Sequence, residues 1–228
     1  PTPTLISTST VDVNVIGIYS VTYDATDSSG NNATSVTRIV EVVDTTPPNA
    51  PILTTTSTTI NADSITIAGA AETNSLITIT GGAATATGTA TGGSFSILVS
   101  LTQDAANTLS VTATDASGNV SLSSSLVIVE DSTPPIITIT GLNPVDIEFG
   151  SVYVDAGATA EDDVDGIITN LITSSTDLNV NALGFYSFIY TVSDTAGHIV
   201  SSTRVVNVVD TTPPVITLQG ANPQTIEG

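Results

Sequence analysis

The chain has 228 residues, 22 carboxylates against two basic side chains, and a net charge of −20. So few Lys and Arg exclude nucleic acid and an anionic membrane surface as partners, because both bind through cationic side chains. The balance favours cations and a calcium-bearing medium, unless the charge serves only to keep a surface soluble. Cys, Met and Trp are absent, so neither disulfides nor thiol chemistry are available, and no apolar run approaches the ~20 residues of a membrane span.

Residues Ile18 to Thr26 alternate, with Tyr19, Val21, Tyr23 and Ala25 on one face and Ser20, Thr22, Asp24 and Thr26 on the other. A two-residue period predicts a half-buried strand. The turn Asp27-Ser28-Ser29-Gly30-Asn31 follows, and Ala33 to Val43 returns as the hairpin partner. Asp44-Thr45-Thr46-Pro47-Pro48 closes the unit. Two prolines fix φ and lack N–H donors, so this segment cannot sit inside a sheet and is stiff.

The unit recurs. GIYSVTYDATDSSGNNATSVTRIVEVVDTTPP at 17–48 returns as GFYSFIYTVSDTAGHIVSSTRVVNVVDTTPP at 184–214, and more loosely as LSVTATDASGNVSLSSSLVIVEDSTPP at 109–135. The acidic exits Asp44, Asp131 and Asp210 lie 87 and 79 residues apart, a length at which small domains fold alone. The expected division is a partial domain at 1–46, whole domains at 47–133 and 134–212, and the first strands of another at 213–228. Residues 1–46 align with roughly 171–212, and PPVITLQGANPQTIEG at 213–228 aligns with 134–150.

In the middle domain, strands are expected at Ser64–Ala68, Leu76–Thr80, Ser94–Leu101, Thr108–Thr114 and Ser121–Val129. The Gly, Ala and Thr run from Gly81 to Gly93 reads as packing-neutral surface rather than a thin edge strand or a mobile loop. In the third, strands are expected at Ile136–Thr140, Ala158–Ala160, Ile167–Ile172 and Leu178–Val180, followed by the hairpin of 184–209. Nowhere is there a helical stripe, so the fold class is all-β. About seven short strands with turn signals between them predict two-sheet sandwiches joined by short Thr-Pro-Pro linkers.

Gly17-Ile18-Tyr19 and Gly184-Phe185-Tyr186 place a Tyr at the start of the penultimate strand, which resembles the tyrosine corner of Ig-like sandwiches. The middle domain has Asn107-Thr108-Leu109 there instead. The first and third domains resemble the bacterial Ig-like family first described in a pesticidal crystal protein, whose repeats read TPPVITLxGxNPxxIExG, DGxIT, GxYxxxYxVxDxAGN and RxVxVVD. Residues 134–150, Asp165–Thr169, 184–198 and 204–210 carry that pattern, and 1–48 and 213–228 carry it in part. The middle domain is similar to another bacterial Ig-like type through TATDASGN at 112–119. The resemblance implies tandem Ig-like sandwiches and says little about function, since such modules serve as spacers in many secreted proteins.

Catalysis is not expected. Cys is absent, and the one His, His198, occupies the turn position that Asn31 and Asn119 hold elsewhere, so it reads as a turn variant and not as the deliberately placed base that a nucleophile–base pair needs. Carboxylates are the better lead. In an Ig-like sandwich each domain's exit meets loops of the next, which is expected to gather Asp44, Glu72 and Asp115 at one joint. At the second joint the same topology gathers Glu130 and Asp131, the cluster Glu161, Asp162, Asp163 and Asp165, and Asp194. Carboxylates so crowded repel one another unless a cation sits between them, and oxygen-only ligands suit Ca²⁺; otherwise they are ordinary turn acids. Arg38 and Arg204, in equivalent places, are expected to be structural, each paired with a carboxylate of its own domain. Asn32-Ala33-Thr34 and Asn119-Val120-Ser121 match the glycosylation sequon, a common pattern.

The expectation is a non-enzymatic stalk in a large extracellular, cell-surface microbial protein of adhesin type, with joints clamped by calcium and no direct membrane insertion. Its partners are then neighbouring Ig-like domains of the same or adjacent chains. A first alternative is the subunit of a self-assembling filament or surface layer, a homopolymer in which the tail 213–228 of one chain completes 1–46 of the next. Together those two pieces still lack the counterpart of about 151–170. A second is a spacer in a multimodular secreted enzyme.

Overall fold

The computed structural model describes residues 2–220, 223, 226 and 227. The described residues form strands and a single three-residue turn of 3-10 helix. The first sheet is β1 (Thr4–Ser9), β2 (Gly17–Thr26) and β3 (Val36–Val42), antiparallel throughout. No described residue of 1–46 is buried, and Leu5, Ile6, Ile18 and Ile39 lie exposed.

The middle sandwich pairs two sheets. One is β4 (Ile52–Leu53), β6 (Ser64–Ala70) and β9 (Ser94–Ser100). The other runs in the order β5 (Thr58–Ile60), β11 (Ser124–Glu130), β10 (Ala105–Thr114), β7 (Leu76–Thr80) and β8 (Ala86–Thr89). The two-residue period does its work here. Phe95, Ile97 and Val99 of β9 point inward, as do Leu109, Val111 and Ala113 of β10 and Ile77 and Ile79 of β7. Each wholly buried aliphatic of this set stabilises the fold by about 1.5–3 kcal/mol.

The third sandwich has one sheet of β12 (Ile136–Ile139), β14 (Ala158–Asp162) and β15 (Gly166–Ile167). Its other sheet is β13 (Val145–Glu148), β18 (Ile199–Val209), β17 (Gly184–Ser193) and β16 (Thr173–Thr176), with β13 parallel to β18. Ala160, Ile168 and Val192 form a buried cluster, packed against Ile137 and Ile172. By packing, the chain divides into two compact units. One comprises Pro1–Thr58, Asp63–Thr102 and Ala106–Ile128, and the other Thr59–Ala62, Gln103–Ala105 and Val129–Gly228. The second unit therefore holds the third sandwich together with three short segments from the end of the middle one.

Several expected strands shift, each for a local reason. Ile167–Ile172 is not one strand but the two residues of β15 and the 3-10 turn Thr169–Leu171. Thr169 Oγ1 accepts from the Ala160 N–H at 3.0 Å and donates to the Ala160 carbonyl at 3.3 Å, replacing ladder bonds with a side chain. Leu178–Val180 is irregular and leads into the turn closed by Ala182 N on the Asn179 carbonyl at 3.2 Å; Asp177 before it accepts from the Ser187 N–H at 2.7 Å, and the strand falls earlier, at β16. Ser121 leaves β11 because its Oγ accepts the Ala113 N–H at 2.9 Å.

The run Gly81–Gly93 contains an edge strand, β8, and is not packing-neutral surface. β8 pairs with β7 through Ile77↔Gly88 and Thr78↔Thr87, and Ala90 is wholly buried. Its small residues are required: a Cβ on Gly81 would lie 2.0 Å from the Thr108 carbonyl oxygen, and one on Gly88 would lie 2.8 Å from Ile97 Cγ1.

The tyrosine corners form. Tyr19 donates to the Val15 carbonyl at 2.7 Å and Tyr186 to the Ala182 carbonyl at 2.9 Å. In the middle domain buried Asn107 substitutes, accepting from the Thr102 N–H at 2.7 Å and donating to its carbonyl at 3.0 Å.

Candidate metal centre

β11 ends at Glu130, and the backbone N–H of the next residue, Asp131, donates to the Ile60 carbonyl at 3.0 Å. That bond holds Asp131 where its side chain is wholly buried. Neither of its carboxylate oxygens has a hydrogen-bond partner. A buried polar group without a partner is costly, and a buried charge more so. Burial first, and then the nearby Asp162, Asp194 and Asp165 charges, push the Asp131 carboxyl up to about 6, with His198 pulling the other way.

Three loops converge on it. From the β14–β15 loop, Asp162 Oδ1 accepts the N–H groups of Val164 and Asp165, both at 2.9 Å, while its Oδ2 is buried and unpartnered. Asp165 is tied across to the last hairpin, where its carboxylate accepts the Thr195 N–H at 2.7 Å and hydroxyl at 2.8 Å. In that hairpin turn Asp194 Oδ1 accepts from Gly197 N at 2.7 Å and His198 N at 2.8 Å, and His198 Nδ1 lies 2.6 Å from Asp194 Oδ2. The turns at Asp27 and Asp115 are built alike, with Asn31 and Asn119 donating to the second oxygen at 2.9 Å each. His198 thus fills the role of those asparagines. From the β9–β10 loop comes Asp104, whose carboxylate accepts from Ser132 N at 2.9 Å and from the Thr133 hydroxyl at 3.0 Å. Buried Glu130 accepts the Asp104 N–H through Oε2 at 2.7 Å and leaves Oε1 unpartnered.

Among the described residues, three sets of side chains have ligand atoms within 4.8 Å of one another: Asp131, Asp162 and Asp165; Asp104, Asp131 and Asp163; Asp131, Asp194 and His198. All of these residues lie in the second compact unit. The donor set fits a hard cation, with carboxylate oxygens predominating and two of the carboxylates buried with unpartnered oxygens.

Of the residues expected at this joint, Asp131, Asp162, Asp163, Asp165 and Asp194 are brought together. Glu130 is adjacent and buried, whereas Glu161 is exposed on β14 and belongs to none of the three sets. Asp44, Glu72 and Asp115 form no such set among the described residues. Asp115 accepts from Ser117 N and Asn119 N, both at 2.9 Å, within its own turn. Asp44 Oδ1 accepts from Thr46 N at 2.9 Å, and its carbonyl takes Asn119 Nδ2 at 3.2 Å. Glu72 is exposed, and its carbonyl, not its carboxylate, accepts the Ser75 hydroxyl at 2.7 Å. Sequence reasoning missed Asp104. It lies in the loop before β10, and extending the topological argument from the following domain's loops to those beside the exit itself would have reached it.

The arginines differ. Arg204, 1% exposed, pairs with Asp155 and also donates to Tyr153 Oη and the Gly157 carbonyl, both at 3.1 Å, and to the Thr140 carbonyl. Arg38 is exposed and sits over the Tyr23 ring, 5.8 Å from its centroid, without a carboxylate partner among the described residues.

No curated protein matches the chain. Residues 2–42 and 137–208 match the family described as bacterial surface protein, Ig-like domain, and residues 48–131 match the family described as bacterial Ig domain. Similar solved structures include a lipoprotein of Bacteroides thetaiotaomicron, at 26% identity over 35% of this chain and 40% of that one, with a TM-score of 0.31. Another is a Ca²⁺-stabilised adhesin that helps an Antarctic bacterium reach out and bind ice, at 18% identity over 85% and 57%, TM-score 0.41. A third, from Clostridium perfringens, joins a catalytic domain to two CBM51 domains, at 18% identity over 91% and 28%, TM-score 0.29. The chain spans less than two thirds of each of these three. Among the described residues no helix is long and apolar enough to cross a membrane. The two family matches and the strand topology agree, and the chain is a tandem array of bacterial Ig-like domains.

Proposed function

We propose that this chain is a non-enzymatic segment of a bacterial surface stalk, in which calcium stiffens the joint after β11. The observation that carries the reading is Asp131, a wholly buried carboxylate with no hydrogen-bond partner, ringed by further carboxylates. Such a group is destabilising by itself and becomes favourable once a cation accepts its oxygens. The ion would tie segments 103–105 and 129–131 to the loops at 162–165 and 194–198. The Ser132-Thr133-Pro134-Pro135 linker is already held by Asp104 and its prolines. A stalk works by holding what it carries at a distance, and each added sandwich extends the reach by about 30–40 Å. Affinity need only be modest, about 10⁻⁴–10⁻³ M, as in other extracellular calcium modules.

Small-angle scattering and thermal melting, in millimolar calcium and then in chelator, test this. Calcium should sharpen the distribution of long distances and raise the melting temperature. An unchanged maximum dimension together with an unchanged melting temperature would leave these acids as ordinary turn residues.

A further inference from the structure

We propose that the joint binds two calcium ions, with Asp131 bridging them, one ion on each carboxylate oxygen. The inference rests on the reading of this joint as a cation site and concerns how many ions it takes. The three sets of convergent ligand atoms have one member in common, Asp131; apart from it they share no residue. If a single position were within reach of all of them, the ligand atoms of Asp162 and Asp165 would lie close to those of Asp104 and Asp163. Instead they form separate sets that meet only at Asp131.

Asp131 suits that role. Both its oxygens are buried and neither has a protein partner, so each is available to a separate ion. A bridging carboxylate is the usual way to hold two divalent ions about 3.5–4 Å apart. The inner position, with Asp162 and Asp165, is marked by a second unpartnered oxygen, Asp162 Oδ2, in a side chain that is 9% exposed. The outer position, with Asp104 and Asp163, faces solvent, since both of those residues are exposed; water would complete its shell, as Ca²⁺ commonly allows.

Charge points the same way. Six carboxylates, Asp104, Asp131, Asp162, Asp163, Asp165 and Asp194, lie in these sets. One divalent ion balances two of them, and two ions balance four. The set containing His198 is not given an ion. Its Nδ1 lies 2.6 Å from Asp194 Oδ2 and serves as the donor that Asn31 and Asn119 supply in the sister turns. An imidazole nitrogen is also a poor ligand for Ca²⁺, which takes oxygen.

The test counts ions. The full chain, freed of metal by chelator, is dialysed against calcium chloride, and bound calcium per chain is measured by atomic emission, with titration calorimetry for affinities. The wild type should hold two more ions than Asp131→Asn. Asp162→Asn and Asp163→Asn should each lose one, and Asp163→Asn, at an exposed position, keeps the test open if the buried substitution fails to fold. A difference of one ion between wild type and Asp131→Asn, with Asp163→Asn binding as wild type, overturns the bridge and leaves the single-ion joint intact. No difference, with no calcium bound in this region, overturns the bridge and the joint reading together.

Discussion

Arg204 and Asp131 are both buried charges, and they are handled in opposite ways. Arg204 is compensated within the protein: Asp155, Tyr153 and two carbonyls take its donors, and the guanidinium lies 5.9 Å from the Tyr190 ring centroid. Burial alone would raise the Asp155 carboxyl, but the Tyr190 hydroxyl, the Gly157 N–H and Arg204 together hold it below its ordinary value. Arg204→Met strands that carboxylate, so a loss of roughly 3 kcal/mol is expected in denaturant unfolding. Arg38→Met, at an exposed site, should stay within about 0.5 kcal/mol.

Asp131 has no compensation from protein groups, and its sign is reversed. Its folded-state value, about 6, lies above the ordinary 3.8, so protonation favours the folded state. The gap is worth on the order of 3 kcal/mol, present below about pH 4 and lost as the pH rises through 6. In chelator, melting temperature should therefore rise as pH falls from 7 to 5. Below about pH 4 it should fall again, as Asp155 and Glu148 protonate. Glu148 is held down at about 2 by hydroxyl and N–H groups of Thr211 and Thr212. In saturating calcium the order between pH 7 and pH 5 should invert, because protons then displace the ion. A chelated protein that loses stability steadily from pH 7 to pH 5 would contradict an uncompensated Asp131.

At the scale of elements, alternation was legible wherever strands have one wet face, and it placed β6, β7, β9 and β10 to within a few residues. It failed where side chains replace the backbone ladder. Thr169 and Ser121 take over bonds that a strand would have made, and a period of two carries no trace of that substitution. It failed again at 81–93, because small residues read as absence of packing when they are the consequence of close packing. Gly81 has φ +95° and its position faces the Thr108 carbonyl, whereas Gly92 has φ +59° and open space around it. Both Gly→Ala changes pay for a left-handed backbone, ~1 kcal/mol, but only Gly81→Ala also meets a backbone atom. It should cost at least ~2 kcal/mol more than Gly92→Ala in urea unfolding; equal costs would show that the backbone around Gly81 and Thr108 yields freely. The acidic joint was legible from topology, since the order of strands dictates which loops share an end. What it concealed was burial: nothing in Glu130-Asp131-Ser132 distinguishes a buried acid from an exposed one. Nor does the sequence show that Asp115 satisfies its own turn while Asp131 satisfies nothing.

For the whole molecule, 22 acids against two bases make cations a general stabiliser, so a calcium effect on melting alone does not locate a site. Location has to come from which amides respond. Binding to the folded state at a hundredfold excess over Kd stabilises by about 2.7 kcal/mol per ion. That gain suppresses only those openings that release the ion. The candidate ligands sit at 104, 131, 162–165 and 194 within one compact unit, whereas β1, β2 and β3 belong to the other and, among the described residues, contribute none. Hydrogen exchange measured with and without calcium should therefore show slowed amides at 103–105, 129–134, 162–166 and 194–199. The amides of 4–42 should exchange at unchanged rates. Sodium chloride at matched ionic strength should reproduce neither pattern, because screening weakens repulsion everywhere within about 8 Å without occupying ligands. Protection spread evenly over both units would mean that calcium acts on net charge alone, and the joint at Asp131 would have no privileged part in it.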